Sequence, residues 1–175
     1  MIHGEKFYPV PNGEARFILV ANVATLNMAR LDCMPGGALT SNDVLVEFNR
    51  APHHAELDAY CKAKNIDPWR YLIVRHKSRT EYNAPDSFSG YNWVYFISRL
   101  TRMGKSDFFN AYRFETGGKA PTTGFAAWHC MRLSGLPVIL FGFDPVGDQT
   151  SRHAEAHDWE HEARVYKREK AIIVK

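Results

Sequence analysis

The chain has 175 residues, 45% of them hydrophobic and 13% aromatic, which is enough apolar material for one domain with a real core and leaves little for a second. Its 22 Lys and Arg against 19 Asp and Glu give a net charge of +3 without a clustered basic run, which argues against a phosphate-tracking surface and a nucleic-acid partner. Three cysteines, Cys33, Cys61 and Cys130, at unrelated spacings and without a CxxC pair, argue against a disulfide framework or a zinc knuckle.

Residues 1–14 mix His, Glu, Lys, Pro and Asn where a signal peptide needs an apolar stretch, and no later segment reaches the length of a bilayer span. The expectation is a cytoplasmic protein with reduced thiols and no membrane span. After the turn signal Pro11-Asn12-Gly13, the run 16–21 is short and continuously apolar beyond Arg16, as in a strand buried on both faces of a parallel sheet. Pro35-Gly36-Gly37 breaks the chain, and Asp43 to Phe48 reads as a second strand that stops at Asn49-Arg50-Ala51-Pro52. A helix is predicted over 55–65 and a third strand over 69–75. Residues 92–97 fit either a short strand or a helix start. The basic stretch from Arg70 to Arg79 reads as a solvated edge, and 77–90, rich in Ser, Asn, Pro, Asp and Gly, as a loop able to cover a site.

Pro121-Thr122-Thr123-Gly124 leads into a helix over 125–133, and Gly135 to Phe141 into a strand. Thr150 or Ser151 is positioned to cap a helical tail over 152–168, and 171–174 forms a last strand. Strands alternating with helices predict an α/β fold, a single domain over 1–175 with an open, mostly parallel, Rossmann-like sheet flanked by helices. On the tail, His153, His157 and His161 recur every four residues and would share a helix face. That spacing fits a metal site, a catalytic histidine or an ordinary polar face. The HExxH arrangement of zinc hydrolases is absent.

Three segments, in order, resemble motifs of the sialyltransferase-like glycosyltransferases, and the chain is similar to a compact bacterial-type member. Phe17 to Asn22 with Asp43 to Pro52 looks like the large motif, a strand ending in Asn and a second ending in Asn-x-Ala-Pro. Pro121 to Gly124, a helix and then Leu140-Phe-Gly-Phe-Asp144 resemble the small motif, and His157 with Glu162 the very short one. The resemblance implies an inverting, metal-independent transferase that moves sialic acid or another ulosonic acid such as Kdo from a CMP-sugar to a glycan hydroxyl. It implies no cofactor beyond that donor, whose contacts fall to Asn22, Asn49, Thr122, Thr123, Gly124, Gly142 and Phe143. His157 is implied as the base, and Glu162 as its orienting group. His153, or in its place His161, is the candidate for the leaving phosphate.

Physical chemistry fits these residue types to those tasks. Amide side chains at strand ends and a helix N-terminus suit a phosphate, and histidine titrates near neutrality. The chain departs from the family pattern at Ala21, Val23 and Glu47 and is short for it, which keeps open a non-catalytic nucleotide- or glycan-binding module. Partners are expected to be the nucleotide-sugar and a glycan, with a homodimer possible for a small aromatic-rich domain.

Overall fold

The computed structural model describes residues 15–74, 90–96, 107–144 and 156–175. Strand β1, Phe17–Val20, is followed by a 3-10 turn over Met28–Asp32, strand β2 (Val44–Phe48) and helix α1 (His54–Ala63). Strands β3 (Trp69–Val74) and β4 (Trp93–Phe96) come next, then helices α2 (Asp107–Glu115) and α3 (Thr123–Arg132). Strand β5 (Val138–Phe141), helix α4 (Trp159–Arg168) and strand β6 (Ile172–Val174) complete the described elements. The six strands form one sheet in the order β4-β3-β2-β1-β5-β6, with every neighbouring pair parallel. This is the expected Rossmann-like α/β sheet.

The apolar runs form central strands because both faces of the sheet are covered. Phe17 and Leu19 of β1 join Val138 and Leu140 of β5 on the side packed by Tyr112, Phe125, Trp128, Val165 and Tyr166, so α2, α3 and α4 cover that face. Ile18, Val20, Ile139 and Phe141 point the other way, against Leu31 of the 3-10 turn and Leu57 and Cys61 of α1. At the amino end, Arg16 is held by five hydrogen bonds, two to the Asp43 carboxylate and one each to the carbonyls of Pro35, Gly37 and Ala38. This buried pair joins the starts of β1 and β2, with all five guanidinium N–H groups engaged.

Of the two readings open for 92–97, a strand forms over Trp93–Phe96, with Val94 opposite Leu72 in a parallel ladder. Two sequence expectations change. Arg70 does not belong to a solvated edge; it is 7% exposed, on the α1 side of β3. The tail helix begins at Trp159, where the Asp158 side chain accepts from the His161 amide at 2.9 Å, so Asp158 takes the capping role expected of Thr150 or Ser151. His157 therefore precedes the helix, and His157 and His161 share no helix face. Thr150, Ser151, His153 and most of the expected 77–90 loop lie outside the described residues.

Candidate functional site at the carboxyl end of the sheet

Strand order reverses beside β1: β2, β3 and β4 extend to one side of it, β5 and β6 to the other. In open parallel sheets the crevice beyond the strand ends at such a switch point is where ligands sit. The chain leaves β1 through Ala21-Asn22, β2 through Asn49 and β5 through Gly142-Phe143, so these residues share one end of the sheet.

Local conformation there is unusual. Asn49 and Ala51 both have positive φ, 51° and 44°. Asn tolerates that region and Ala does so at a cost of about 1 kcal/mol, a kind of strain that gathers at ligand sites. The strained turn is fastened by the Asn49 amide to the Ile73 carbonyl and the Ala51 amide to the Phe48 carbonyl, and it delivers the chain into α1. The Asn22 side-chain amide donates to the Phe48 carbonyl at 3.0 Å, tying the ends of β1 and β2 together. The Oδ1 of Asn49 is buried with no hydrogen-bond partner among the described residues.

Gly142 has φ 73°, and a Cβ there would overlap the Leu26 side chain, so this strand exit requires glycine. Phe143 crosses the Phe48 ring edge-on at 6.3 Å and covers Gly124, where a Cβ would lie 2.6 Å from its Cε1. The first turn of α3 is thereby brought against the strand ends, its close approach made possible by Gly124.

Glu162 organises that turn from behind. Its carboxylate, on α4, accepts from the Thr122 amide and the Thr122 hydroxyl, each at 2.7 Å, and from the Tyr112 hydroxyl at 3.1 Å. The Thr122 hydroxyl in turn accepts from the Phe125 amide, capping α3. Thr122 is thus turned inward, with its amide and hydroxyl engaged by Glu162 and its hydroxyl also by the Phe125 amide. The next two amides, Thr123 and Gly124, are among the four that a helix start leaves without intrahelical partners.

Burial lifts the Glu162 pKa to about 7, against the three hydrogen bonds that favour its charged form. No cation among the described residues neutralises it; the groups nearby are hydroxyls, an amide and the Asp158 carboxylate, which itself pushes the value up. Tyr112 was not legible as a site residue in the sequence. Its ring meets His161 edge-on at 4.9 Å, and the His161 Nδ1 lies 3.7 Å from a Glu115 carboxylate oxygen. His161 is accordingly held against α2.

His157 sits in the turn ahead of α4, buried, with its Nδ1 2.7 Å from the Ala120 carbonyl. A carbonyl only accepts, so Nδ1 carries the hydrogen, and the lone pair of the neutral ring lies on Nε2. The Ala120 amide donates back to the Ala156 carbonyl at 3.3 Å, so the 120 and 156–157 segments clasp each other. The three separated segments therefore meet: Asn22 and Asn49 through Phe48, Phe48 through Phe143 to Gly124, and Thr122 to Glu162. His157 is fastened one residue ahead of Pro121.

Glu47, two residues before Asn49, is buried on the α1 side with Oε2 2.8 Å from His54 Nδ1. Among the described residues no group of three or more His, Cys, Asp or Glu side chains is arranged to hold a metal, and no helix is long and apolar enough to cross a membrane. Comparison with known proteins finds no matching family, no matching curated protein and no matching solved structure. Fold and site together define a Rossmann-like α/β protein whose candidate residues gather at the switch-point end of a parallel sheet.

Proposed function

We propose that the protein is a sialyltransferase-like glycosyltransferase that binds a CMP-sugar at the carboxyl end of the sheet, with His157 as base. The observation that supports this reading is the convergence of Asn22, Asn49, Thr123-Gly124 and Gly142-Phe143 from distant parts of the chain, next to a histidine whose Nδ1–H is committed to Ala120. In the proposed reaction an acceptor hydroxyl attacks the anomeric carbon while its proton passes to His157 Nε2. The glycosidic C–O bond breaks, and CMP leaves with the bonding pair, giving inversion. Asn49, whose Oδ1 has no partner among the described residues, and the Thr123 and Gly124 amides hold the donor. Glu162 positions the α3 turn through Thr122 and takes no proton from substrate.

Two of the residues expected to contact the donor already have partners within the protein, Asn22 with Phe48 and Thr122 with Glu162. That observation favours a second reading, a nucleotide- or glycan-binding module of the same fold without turnover. Calorimetric titration of CMP, CDP, UDP and GDP, followed by CMP-release assays with CMP-sialic acid and CMP-Kdo, separates the two. The transferase reading expects CMP selectivity and turnover lost in His157→Ala with CMP affinity kept. CMP binding without turnover on any acceptor supports the module, and absence of CMP binding refutes the donor assignment.

A further inference from the structure

A carboxylate of the protein itself already occupies the start of α3. Of the four amides there, Thr122 donates to Glu162 and Phe125 to the Thr122 hydroxyl, which leaves Thr123 and Gly124, among the described residues, for a ligand. An anion held at those two amides therefore meets a second negative charge behind the same turn. Consecutive Cα atoms are about 3.8 Å apart, so the two charges come within about 10 Å, and a buried pair at that separation is screened little. The repulsion is relieved if the carboxyl takes up a proton.

The surroundings of Glu162 leave that route open. Tyr112 of α2 donates its hydroxyl to it, Tyr166 is buried one turn further along α4, and Asp158 adds negative charge. The nearby cation and histidines are directed elsewhere: Lys119 lies 4.0 Å from Asp158, His161 faces Glu115 and His157 faces the Ala120 carbonyl. Burial already holds the Glu162 pKa at about 7, so a modest added field decides its state. The hydrogen bonds accommodate both forms. Oε1 accepts from the Thr122 amide and the Tyr112 hydroxyl, and both bonds can stay. A proton on Oε2 is donated to the Thr122 oxygen, which keeps the Phe125 amide on its other lone pair, and the Thr122 hydroxyl hydrogen is released from Glu162. We propose that binding of an anionic group at the Thr123 and Gly124 amides is coupled to uptake of a proton from solvent by Glu162. The inference rests on the reading of that turn as the donor site, and it adds that the site holds its ligand more tightly at pH 7 than at pH 8.5.

Calorimetric titration of CMP into the whole protein at pH 8, repeated in buffers of different ionisation enthalpy, reads the protons taken up on binding. Wild type should take up about half a proton more than Glu162→Gln, whose neutral side chain stands in for the acid form. Between pH 7 and pH 8.5 the CMP affinity should fall about fivefold more in wild type than in the variant. The CMP phosphate and the histidines titrate in both proteins alike, so the difference belongs to Glu162. The same event is read without a variant from the Glu162 carboxyl carbon-13 signal, which CMP should move toward its acid position at pH 8. Equal proton uptake in two proteins that both bind CMP, or a carboxyl signal that stays at its ionised position in the complex, would overturn the coupling and leave the donor site standing. Absence of CMP binding in wild type would overturn both.

Discussion

Replacing Glu162 with glutamine tests the least ordinary electrostatic feature of the site. The carboxyl has its pKa lifted from 4.5 to about 7 by burial, so the folded protein binds a proton there that the unfolded chain releases. The sign follows from linkage: between pH 4.5 and about 7 the native state holds more protons, and stability falls as pH rises through that window. At about 1.4 kcal/mol per pKa unit, the full loss is about 3 kcal/mol. His129 acts in the opposite direction. Burial, with Arg132 adding to it, pushes its pKa down to about 4, so stability is lost as pH falls from 6.5 towards 4. In the wild type the two trends largely cancel between pH 4.5 and 6.5, and the slope of one protein alone is uninformative. The glutamine side chain has the shape and neutrality of the protonated acid, so the difference between variant and wild type isolates Glu162. Urea unfolding at pH 5 should give equal stabilities within about 1 kcal/mol, and at pH 8 Glu162→Gln should be ahead by about 2–3 kcal/mol. A variant that loses stability at pH 8, or a difference that does not change with pH, would refute the argument that a lone buried carboxylate holds the α3 turn.

Gly124→Ala places a methyl 2.6 Å from Phe143 Cε1; it should cost about 1–3 kcal/mol in urea unfolding, with partial recovery when Phe143→Leu is added. Thr122→Val removes the α3 cap and one hydrogen bond to Glu162, for an expected loss of about 2 kcal/mol in the same assay. Asp43→Asn leaves Arg16 buried beside a neutral amide and should cost about 3–5 kcal/mol, seen as a fall in Tm with the far-UV spectrum unchanged.

The sheet was legible because its strands are buried on both faces. Runs such as Phe17 to Val20 and Val138 to Phe141 are uninterrupted by polar residues, which only a sandwiched parallel strand requires. Helix α3 was legible from Thr122 and Gly124, but its start lies two residues earlier than the apolar run suggests, because the cap sets it. The tail misled: its histidines repeat at helical spacing, yet Asp158 breaks the helix ahead of Trp159, a competition between two capping choices that composition does not rank. Helix α2 was unread because its anchoring is tertiary. Phe108 stacks on Phe125 at 5.8 Å and Tyr112 reaches Glu162, while Phe114, 89% exposed, spoils the amphipathic pattern. Glu162 had a role assigned through its position alone; its partners come from α2 and from the turn before α3, contacts no local window contains. Arg70 reads as a surface cation because strand alternation carries no sign of the Glu47 and Asp58 carboxylates that it meets under α1.

The position of β1 at the middle of the sheet has a consequence for how the chain is made. One edge of β1 pairs with β2, supplied soon after it, but the other pairs with β5, which leaves the ribosome only after β2, β3, β4, α2 and α3. Until then the apolar ladder Phe17 to Val20 offers an unpaired edge, and the Tyr166 ring of α4, which helps cover its face, arrives later still. Such an edge is open to pairing with a neighbouring nascent chain. Completion of the α3–β5 unit is therefore the step that closes the second edge of β1, and the same step brings Gly142 to the end of the sheet where Asn22 lies.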